Sequence, residues 1–246
     1  MKKQNYKNIV VLLSGGLDST TLAYLTAKES KPYLQNRVFT LTFDYGQRHK
    51  KELASASKTS KKIGAVKHEV IKFDLTTWGG SSLTDKKIKI PLKRALFNNE
   101  EMTAKSIPNT YVPARNTIFL AFALSYAEAI NACEIYIGVN SVDYSGYVDC
   151  RKSFIDRFQQ LIKVATVAGV NGKVIKIKTP LINLTKEEIV KLGERLHVNW
   201  ADTWSCYMGG KIACGLCDSC QLRLKGFALA GVKDPIRYES LPGFLN

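Results

Sequence analysis

The run Ile9-Val10-Val11-Leu12-Leu13, followed by Ser14-Gly15-Gly16-Leu17-Asp18-Ser19-Thr20, constrains this chain more than any other stretch. The unbroken apolar run predicts a strand covered on both faces, and Asp18 ahead of Ser19-Thr20-Thr21-Leu22-Ala23 predicts the N-cap of a helix. A strand, a glycine turn and a helix in that order set unpaired N–H groups and the positive end of a helix dipole above the strand end, where an anion binds. Gly15 and Gly16 let the backbone approach that anion, and the hydroxyls of Ser14 and Ser19 can donate to its oxygens. A Walker loop needs a Lys before its Ser or Thr, and none lies between Ser14 and Thr21. A dinucleotide fingerprint needs a third Gly where Asp18 stands. The pattern predicts a nucleotide-phosphate site without a lysine grip on the γ-phosphate.

Apolar runs then alternate with helical patterns, which predicts an α/β fold with an open parallel five-stranded sheet. Strands are expected at Ile9–Leu13, Val38–Phe43, His68–Phe73, Glu134–Gly138 and Val174–Lys178. Helices are expected at Ser19–Glu29, Lys50–Ile63, Thr117–Ile130, Ser153–Ala168 and Lys186–Leu196, the last opened by a capping box at Thr185. Ligands of such sheets sit beyond the carboxyl ends of the strands, so the loops after Leu13, Phe43 and Gly138 should converge. The stretch from Asp74 to Asn109 lacks regular periodicity and predicts a flap or an interface. From about Val198 the character shifts to Trp, Gly and Cys, predicting a nucleotide-binding unit over 1–197 and an appended element over 198–246. The net charge of +15 is spread over scattered Lys residues without an Arg tract, which favours anionic small substrates over direct nucleic-acid binding. No signal peptide or membrane span is apparent, and a cytoplasmic location is expected.

Cys206, Cys214, Cys217 and Cys220 follow the spacing Cys-x7-Cys-x2-Cys-x2-Cys, whereas Cys133 and Cys150 stand alone. Clustered thiols in a cytosolic chain argue for a metal rather than disulfides, and Cys-x2-Cys lets two sulfurs reach one tetrahedral ion. Structural zinc is the default, with an iron–sulfur cluster as the alternative. His49, His68 and His197 have no ligand or triad spacing and receive no role.

The pattern Ser-Gly-Gly-x-Asp-Ser resembles the pyrophosphate-binding loop of the PP-loop ATP pyrophosphatases, which cleave ATP between its α- and β-phosphates. Further along stand Phe43-Asp-Tyr-Gly-Gln-Arg-His, Pro108-Asn-Thr-Tyr-Val-Pro-Ala-Arg-Asn and Val142-Asp-Tyr-Ser-Gly-Tyr-Val-Asp-Cys-Arg. Trp204-Ser-Cys-Tyr-Met-Gly-Gly, Cys214-Gly-Leu-Cys-Asp-Ser-Cys-Gln-Leu-Arg and Ala230-Gly-Val-Lys-Asp-Pro follow. In that order, from about Ile9 to Pro235, they resemble the 7-cyano-7-deazaguanine synthase family of queuosine precursor biosynthesis. Val148 departs from the family's Pro, and the stretch 86–105 matches none of its motifs. The resemblance implies a ligase that converts 7-carboxy-7-deazaguanine and ammonia to the nitrile by two successive adenylations. It also implies a homodimer, ATP as co-substrate, Mg²⁺ and one structural Zn²⁺ held by Cys206, Cys214, Cys217 and Cys220.

Site roles follow from that chemistry. ATP binding is expected from Leu13, Ser14, Gly15, Gly16, Leu17, Asp18, Ser19, Thr20, Thr21, Leu22 and Ala23, with Asp18 capping the helix or reaching Mg²⁺. Lys186 resembles the phosphate-contacting Lys of PP-loop enzymes, and Arg115 suits a carboxylate or phosphate; with Asp18 these are the expected catalytic residues. Arg115, Asn116, Asp143, Tyr144, Asp149 and Arg151 are the expected substrate contacts, the carboxylates facing the amidine edge of a flat ring and Tyr144 or Tyr147 stacking on it. A PP-loop enzyme that thiolates transfer RNA would share the ATP loop and the cysteines, but it calls for a reactive cysteine pair that Cys133 and Cys150 are poorly placed to form.

Overall fold

The computed structural model describes residues 5–29, 34–93, 107–140 and 146–245. In chain order the elements are β1 (Asn5–Leu12), α1 (Leu17–Lys28), β2 (Leu34–Asp44), α2 (Lys51–Lys62), β3 (Lys67–Lys72), α3 (Arg115–Ala129) and β4 (Glu134–Tyr136). They continue with α4 (Lys152–Ala165), α5 (Val167–Val170), β5 (Lys176–Lys178), α6 (Lys186–Arg195) and α7 (Asp218–Ala230). The strands form one five-stranded sheet of order β3-β2-β1-β4-β5, and every pairing is parallel. Strand order reverses between β1 and β4, because α3 carries the chain from the β3 edge back across the sheet. That reversal opens a crevice at the carboxyl ends of β1 and β4.

The unbroken apolar run of β1 is explained by packing on both sheet faces. Ile9, Val11 and Leu13 join Leu22 and Ala23 of α1, Ile189 and Val190 of α6 and Phe227 of α7 in one core. Val10 and Leu12 join Leu120, Ala123 and Ala127 of α3 and Ile155, Phe158 and Ile162 of α4 in the other. Ile9, Val10 and Val11 are completely buried, so each contributes roughly the 1.5–3 kcal/mol of a fully buried aliphatic side chain.

Besides shifts of up to four residues at element ends, with β1 and β2 starting earlier, β4 and β5 shorter and α3 opening at Arg115, three details differ from the sequence expectations. The helix expected over 153–168 breaks at Thr166, which is extended and whose hydroxyl bonds Ile162 O at 2.9 Å while capping α5 through Gly169 N. Helix α1 begins at Leu17 with Gly16 as N-cap and no side-chain cap, so Asp18 lies inside the first turn rather than capping it. The helix α7 was not foreseen. Its buried face carries Gln221 and Arg223 as well as Leu224 and Phe227, which hides the apolar periodicity. The capping box at Thr185 is present as expected, with both reciprocal bonds made.

Arg223 explains how a charged residue survives on that face. It donates from Nε and Nη2 to both oxygens of Asp234 at 2.6 and 2.9 Å, and from Nη1 to Thr203 Oγ1 at 2.7 Å. Tyr238 Oη donates to the same carboxylate at 2.6 Å. The two ion-pair side chains are only 2% and 4% exposed, so removing one leaves an uncompensated buried charge. Asp234→Ala should therefore lower the unfolding free energy of the metal-loaded protein by about 3–5 kcal/mol, measured by urea denaturation. A loss below about 1 kcal/mol, the range of an exposed pair, would contradict this account.

Candidate functional site

A cavity of about 290 Å³ lies in the crevice, lined by Leu13, Ser14, Gly16, Leu17, Asp18 and Ser19 at its floor. The ends of β2 and β4 supply Phe43, Tyr45, Gly138 and Asn140, so the three expected loops do converge. The floor is braced by its own hydroxyls: Ser19 Oγ accepts from Ser14 N at 3.1 Å and lies 2.9 Å from Ser14 Oγ, which accepts from Gly16 N. Gly15 has φ +83°, and a Cβ there would meet Glu52 O at 2.3 Å, so only glycine lets the loop rest on α2. Thr20, Thr21, Leu22 and Ala23 are buried in or under the helix packing and do not line the cavity.

Lys186, in the first turn of α6, reaches across to Asp18, with Nζ 2.5 Å from Oδ2. A cation is unfavourable at a helix N-terminus by roughly 0.3–1 kcal/mol, and the carboxylate offsets that cost. The other carboxylate oxygen of Asp18 is buried without a hydrogen-bond partner, an acceptor that a cation could take up. Lys186 is held from behind by α7: a Cβ on Gly226 would lie 2.7 Å from Lys186 Cβ.

Arg115 lines the opposite wall. It follows Ala114, whose φ of +52° is costly for a residue with a side chain and is supported by Tyr111 Oη accepting from Ala114 N at 3.1 Å. Its guanidinium donates to Tyr45 Oη at 3.3 Å, and its Nε is buried without a partner. Asn116 and Asp149 are brought together by each other: Asp149 Oδ2 accepts from Asn116 N, and Asn116 Nδ2 donates to Asp149 O, each at 3.0 Å. Asn116 Nδ2 also donates to Cys150 Sγ at 3.3 Å. Burial, with the Asp149 charge second, pushes the Cys150 thiol up to about 12. It is therefore a neutral thiol near neutral pH. Cys133 sits just before β4, at the opposite end of that strand from the cavity. Arg151 is exposed at the N-cap position of α4 and does not line the cavity. Asp143 and Tyr144 lie outside the described residues.

Among the cavity residues without an assigned role in the sequence reading are Tyr45, His49, Glu52 and Tyr207. The Phe43-Asp-Tyr-Gly-Gln-Arg-His motif, at a strand end predicted to face the ligand, was the available signal for Tyr45 and His49, and Trp204-Ser-Cys-Tyr-Met-Gly-Gly for Tyr207; Glu52 lies in no such motif. Burial raises the Tyr45 pKa to about 12 against the lowering effect of Arg115, and burial also raises those of Tyr147 and Tyr207. Tyr147 Oη lies 2.9 Å from Thr110 Oγ1 and 3.4 Å from Tyr207 Oη, which ties this wall to the cysteine-rich element.

Cys206, Cys214, Cys217 and Cys220 form a buried cluster whose sulfurs all lie within 4.8 Å of one another. A tetrahedral ion with metal–sulfur bonds of about 2.3 Å requires sulfur separations of roughly 3.8 Å. Sγ of Cys214 and Cys220 are already 4.0 Å apart, so the donor set fits one metal ion. Backbone N–H groups of Cys214 and Cys217 donate to Cys206 Sγ and Cys214 Sγ at 3.3 Å, which favours thiolate. Ile90, Trp204 and Ala213 pack around the cluster, and Lys93 N bonds Leu216 O at 2.9 Å, so the described part of the 74–109 stretch lies against this element. Trp204 N donates to Gly15 O at 2.9 Å, a direct link from the cysteine-rich element to the phosphate loop.

The profile of the family described as queuosine biosynthesis protein QueC matches residues 8–231. The chain belongs to the QueC family. A 7-cyano-7-deazaguanine synthase from Nostoc sp. is 51% identical over 234 residues, covering 95% of this chain and 98% of the relative. One of the same name from Clostridium kluyveri is also 51% identical, with the same shares of both chains. Among solved structures, a U34-tRNA thiolase from Methanococcus maripaludis is 16% identical, with a TM-score of 0.48 over 92% of this chain and 65% of that one, a likeness too distant to carry chemistry. Among the described residues, no helix of this QueC member is long and apolar enough to cross a membrane.

Proposed function

We infer that this chain is a 7-cyano-7-deazaguanine synthase, an ATP-dependent ligase that turns 7-carboxy-7-deazaguanine and ammonia into the nitrile. Its near-full-length identity to relatives of that name carries the reading, and the phosphate loop without a Walker lysine supports it. A carboxylate is a poor electrophile. Attack of its oxygen on the α-phosphate of ATP breaks the bond to the β-phosphate, giving an acyl adenylate and pyrophosphate. Ammonia then displaces AMP to give the amide. The amide oxygen must also be made a leaving group before the nitrile can form, so a second ATP is consumed at the same site.

Charge builds on the departing phosphates, and donors already in place contribute most to stabilising it. The first turn of α1, Ser14 and Ser19 suit the pyrophosphate, and Lys186 suits a phosphate oxygen once ATP competes for it. The unpartnered oxygen of Asp18 suits Mg²⁺, which would neutralise phosphate charge. Arg115 faces the same cavity and suits the substrate carboxylate, while Asn116 and Asp149 hold the loop before α4 in place. Asp143 and Tyr144 remain proposed ring contacts, whereas Arg151, exposed at the α4 N-cap and outside the cavity lining, is not kept as a substrate contact. Zinc is the proposed ion of the cysteine centre: four thiolates close around one ion without an open position, and the close sulfur spacing suits a single ion better than a cluster whose irons would spread the thiolates. Residues 1–197 then carry nucleotide chemistry, and 198–246 form a metal-held element. A cytoplasmic homodimer completes the proposal.

Incubated with 7-carboxy-7-deazaguanine, ammonium and ATP, the protein should release AMP and pyrophosphate together. Mass spectrometry should show the amide when ATP is limiting and the nitrile when it is in excess. ADP and phosphate as sole nucleotide products, or thiolated transfer RNA with the carboxylate untouched, would overturn the proposal.

A further inference from the structure

His49 sits on the cavity wall one turn before Glu52 and is 4% exposed. Its Nε2 lies 3.2 Å from Glu52 Oε2, and the same side chain's Oε1 accepts from Gln47 Nε2 at 3.0 Å. Gln47 is itself fixed, donating to Phe43 O at 3.0 Å and accepting from Tyr45 N at 2.8 Å. A carboxylate facing Nε2 selects the tautomer with the proton on that nitrogen, which leaves the lone pair on Nδ1. Nδ1 is buried with no hydrogen-bond partner. A buried, oriented imidazole with an unused lone pair beside a ligand cavity is an arrangement that packing alone does not require, because an unpaired buried acceptor is destabilising.

The proposed reaction needs a base twice. When ammonia adds to the acyl adenylate, the new C–N bond leaves a positive nitrogen; as the C–O bond to AMP breaks, a proton must depart from that nitrogen to give the neutral amide. When the adenylated amide collapses, a base takes the N–H proton, those electrons complete the carbon–nitrogen triple bond, and the C–O bond to AMP breaks. The other ionisable groups on the wall are poorly suited: Glu52 has one oxygen facing His49 Nε2 and the other accepting from Gln47. Asp18 is paired with Lys186, Arg115 is a cation, and burial keeps Tyr45, Tyr147, Tyr207 and Cys150 protonated near neutral pH. Imidazole is the side chain that exchanges protons in the neutral range.

We propose that His49, oriented by Glu52, is the base that accepts the nitrogen-bound protons in both ammonia addition and amide dehydration. This rests on the function proposed above. The ionisable groups around the ring are Glu52 from α2, Tyr207 from the cysteine-rich element, whose ring centroid is 5.7 Å away, and Arg48 beside it, which donates to the Asp85 and Ile88 carbonyls. Lys51 points instead at the Trp204 ring and Lys211 O, while Arg115, Tyr147, Asp18 and Lys186 share the cavity.

Amide dehydration isolates the test, because no ammonia titrates in it. His49→Gln keeps a donor for Glu52 and removes the base. In zinc-loaded enzyme supplied with the amide, dehydration should fall on the order of 10²–10⁴-fold, far more than pyrophosphate release from the acid without ammonia, and the decline of the parent rate at low pH should disappear. Added imidazole should restore dehydration to His49→Ala. A folded His49→Gln enzyme within about threefold of the parent, or with the parent's pH profile, would remove His49 from catalysis. So would equal loss of adenylation and dehydration without imidazole rescue, which would make it structural. If the parent enzyme adenylates neither acid nor amide, the functional reading itself fails and this inference with it.

Discussion

Replacing Cys217 with serine should yield protein that binds less than about a tenth of the parent's metal and in which the cysteine-rich element no longer folds. A thiolate-bound structural zinc contributes roughly 10–16 kcal/mol, as much as the whole stability of an ordinary domain. Cys217 is fully buried, sits at the N-cap of α7 and presents its N–H to Cys214 Sγ, so its loss removes a ligand and loosens the helix start together. The small core around the cluster, Ile90, Trp204 and Ala213, is too slight to order this element unaided. Hydrogen exchange in α7 should then approach that of an unfolded chain, while β1 stays protected between its two cores. ATP turnover should fall as well, because Trp204 N anchors Gly15 O from within the affected segment. Metal analysis with exchange mass spectrometry checks this, and a chelated parent should behave the same way. Full metal content in the serine variant would overturn the ligand assignment.

Lys186→Ala and Asp18→Asn should each lower turnover by about 10²–10³-fold, with the Tm little changed. Both side chains are partly exposed at the cavity, 16% and 25%, so their removal leaves the cores intact. Without Lys186 the Asp18 carboxylate faces the phosphates unneutralised; with Asp18→Asn the lysine loses its anchor and the site loses its proposed metal contact. Because the pair acts as a unit at 2.5 Å, the double variant should be little worse than either single one. Single variants within about threefold of the parent, or strictly multiplicative losses, would show that the contact is structural only.

Much of this architecture was legible in the sequence because its signals are local. The apolar run of β1, the glycines after it and the Thr185 capping box are each set by a few neighbouring residues and appear where expected, although β1 begins at Asn5, four residues before the apolar run. The cysteine spacing was equally local, since Cys-x2-Cys constrains two sulfurs to one turn. Other features depended on partners distant in sequence. Asp18 was expected to cap α1, yet it faces Lys186 from 168 positions away, and no local pattern encodes that choice. Asn116 and Asp149 read as ligand contacts by type, but folding sets them against each other, with Asn116 on the cavity wall and Asp149 buried behind it.

His49 makes the division plainest. The sequence by itself determined an α/β chain with a glycine turn between its first strand and helix, four thiols spaced to cluster, and a family assignment resting on motifs in order. Those follow from backbone geometry and ligand spacing over short stretches. Only the tertiary structure decided which polar residues share the cavity, which are consumed in pairing with one another, and that Glu52 holds one nitrogen of His49 while the other is buried without a partner. The reason is physical: a side chain's protonation and availability depend on what burial and folding place against it, and in this protein those neighbours come from β2, α2 and the cysteine-rich element together.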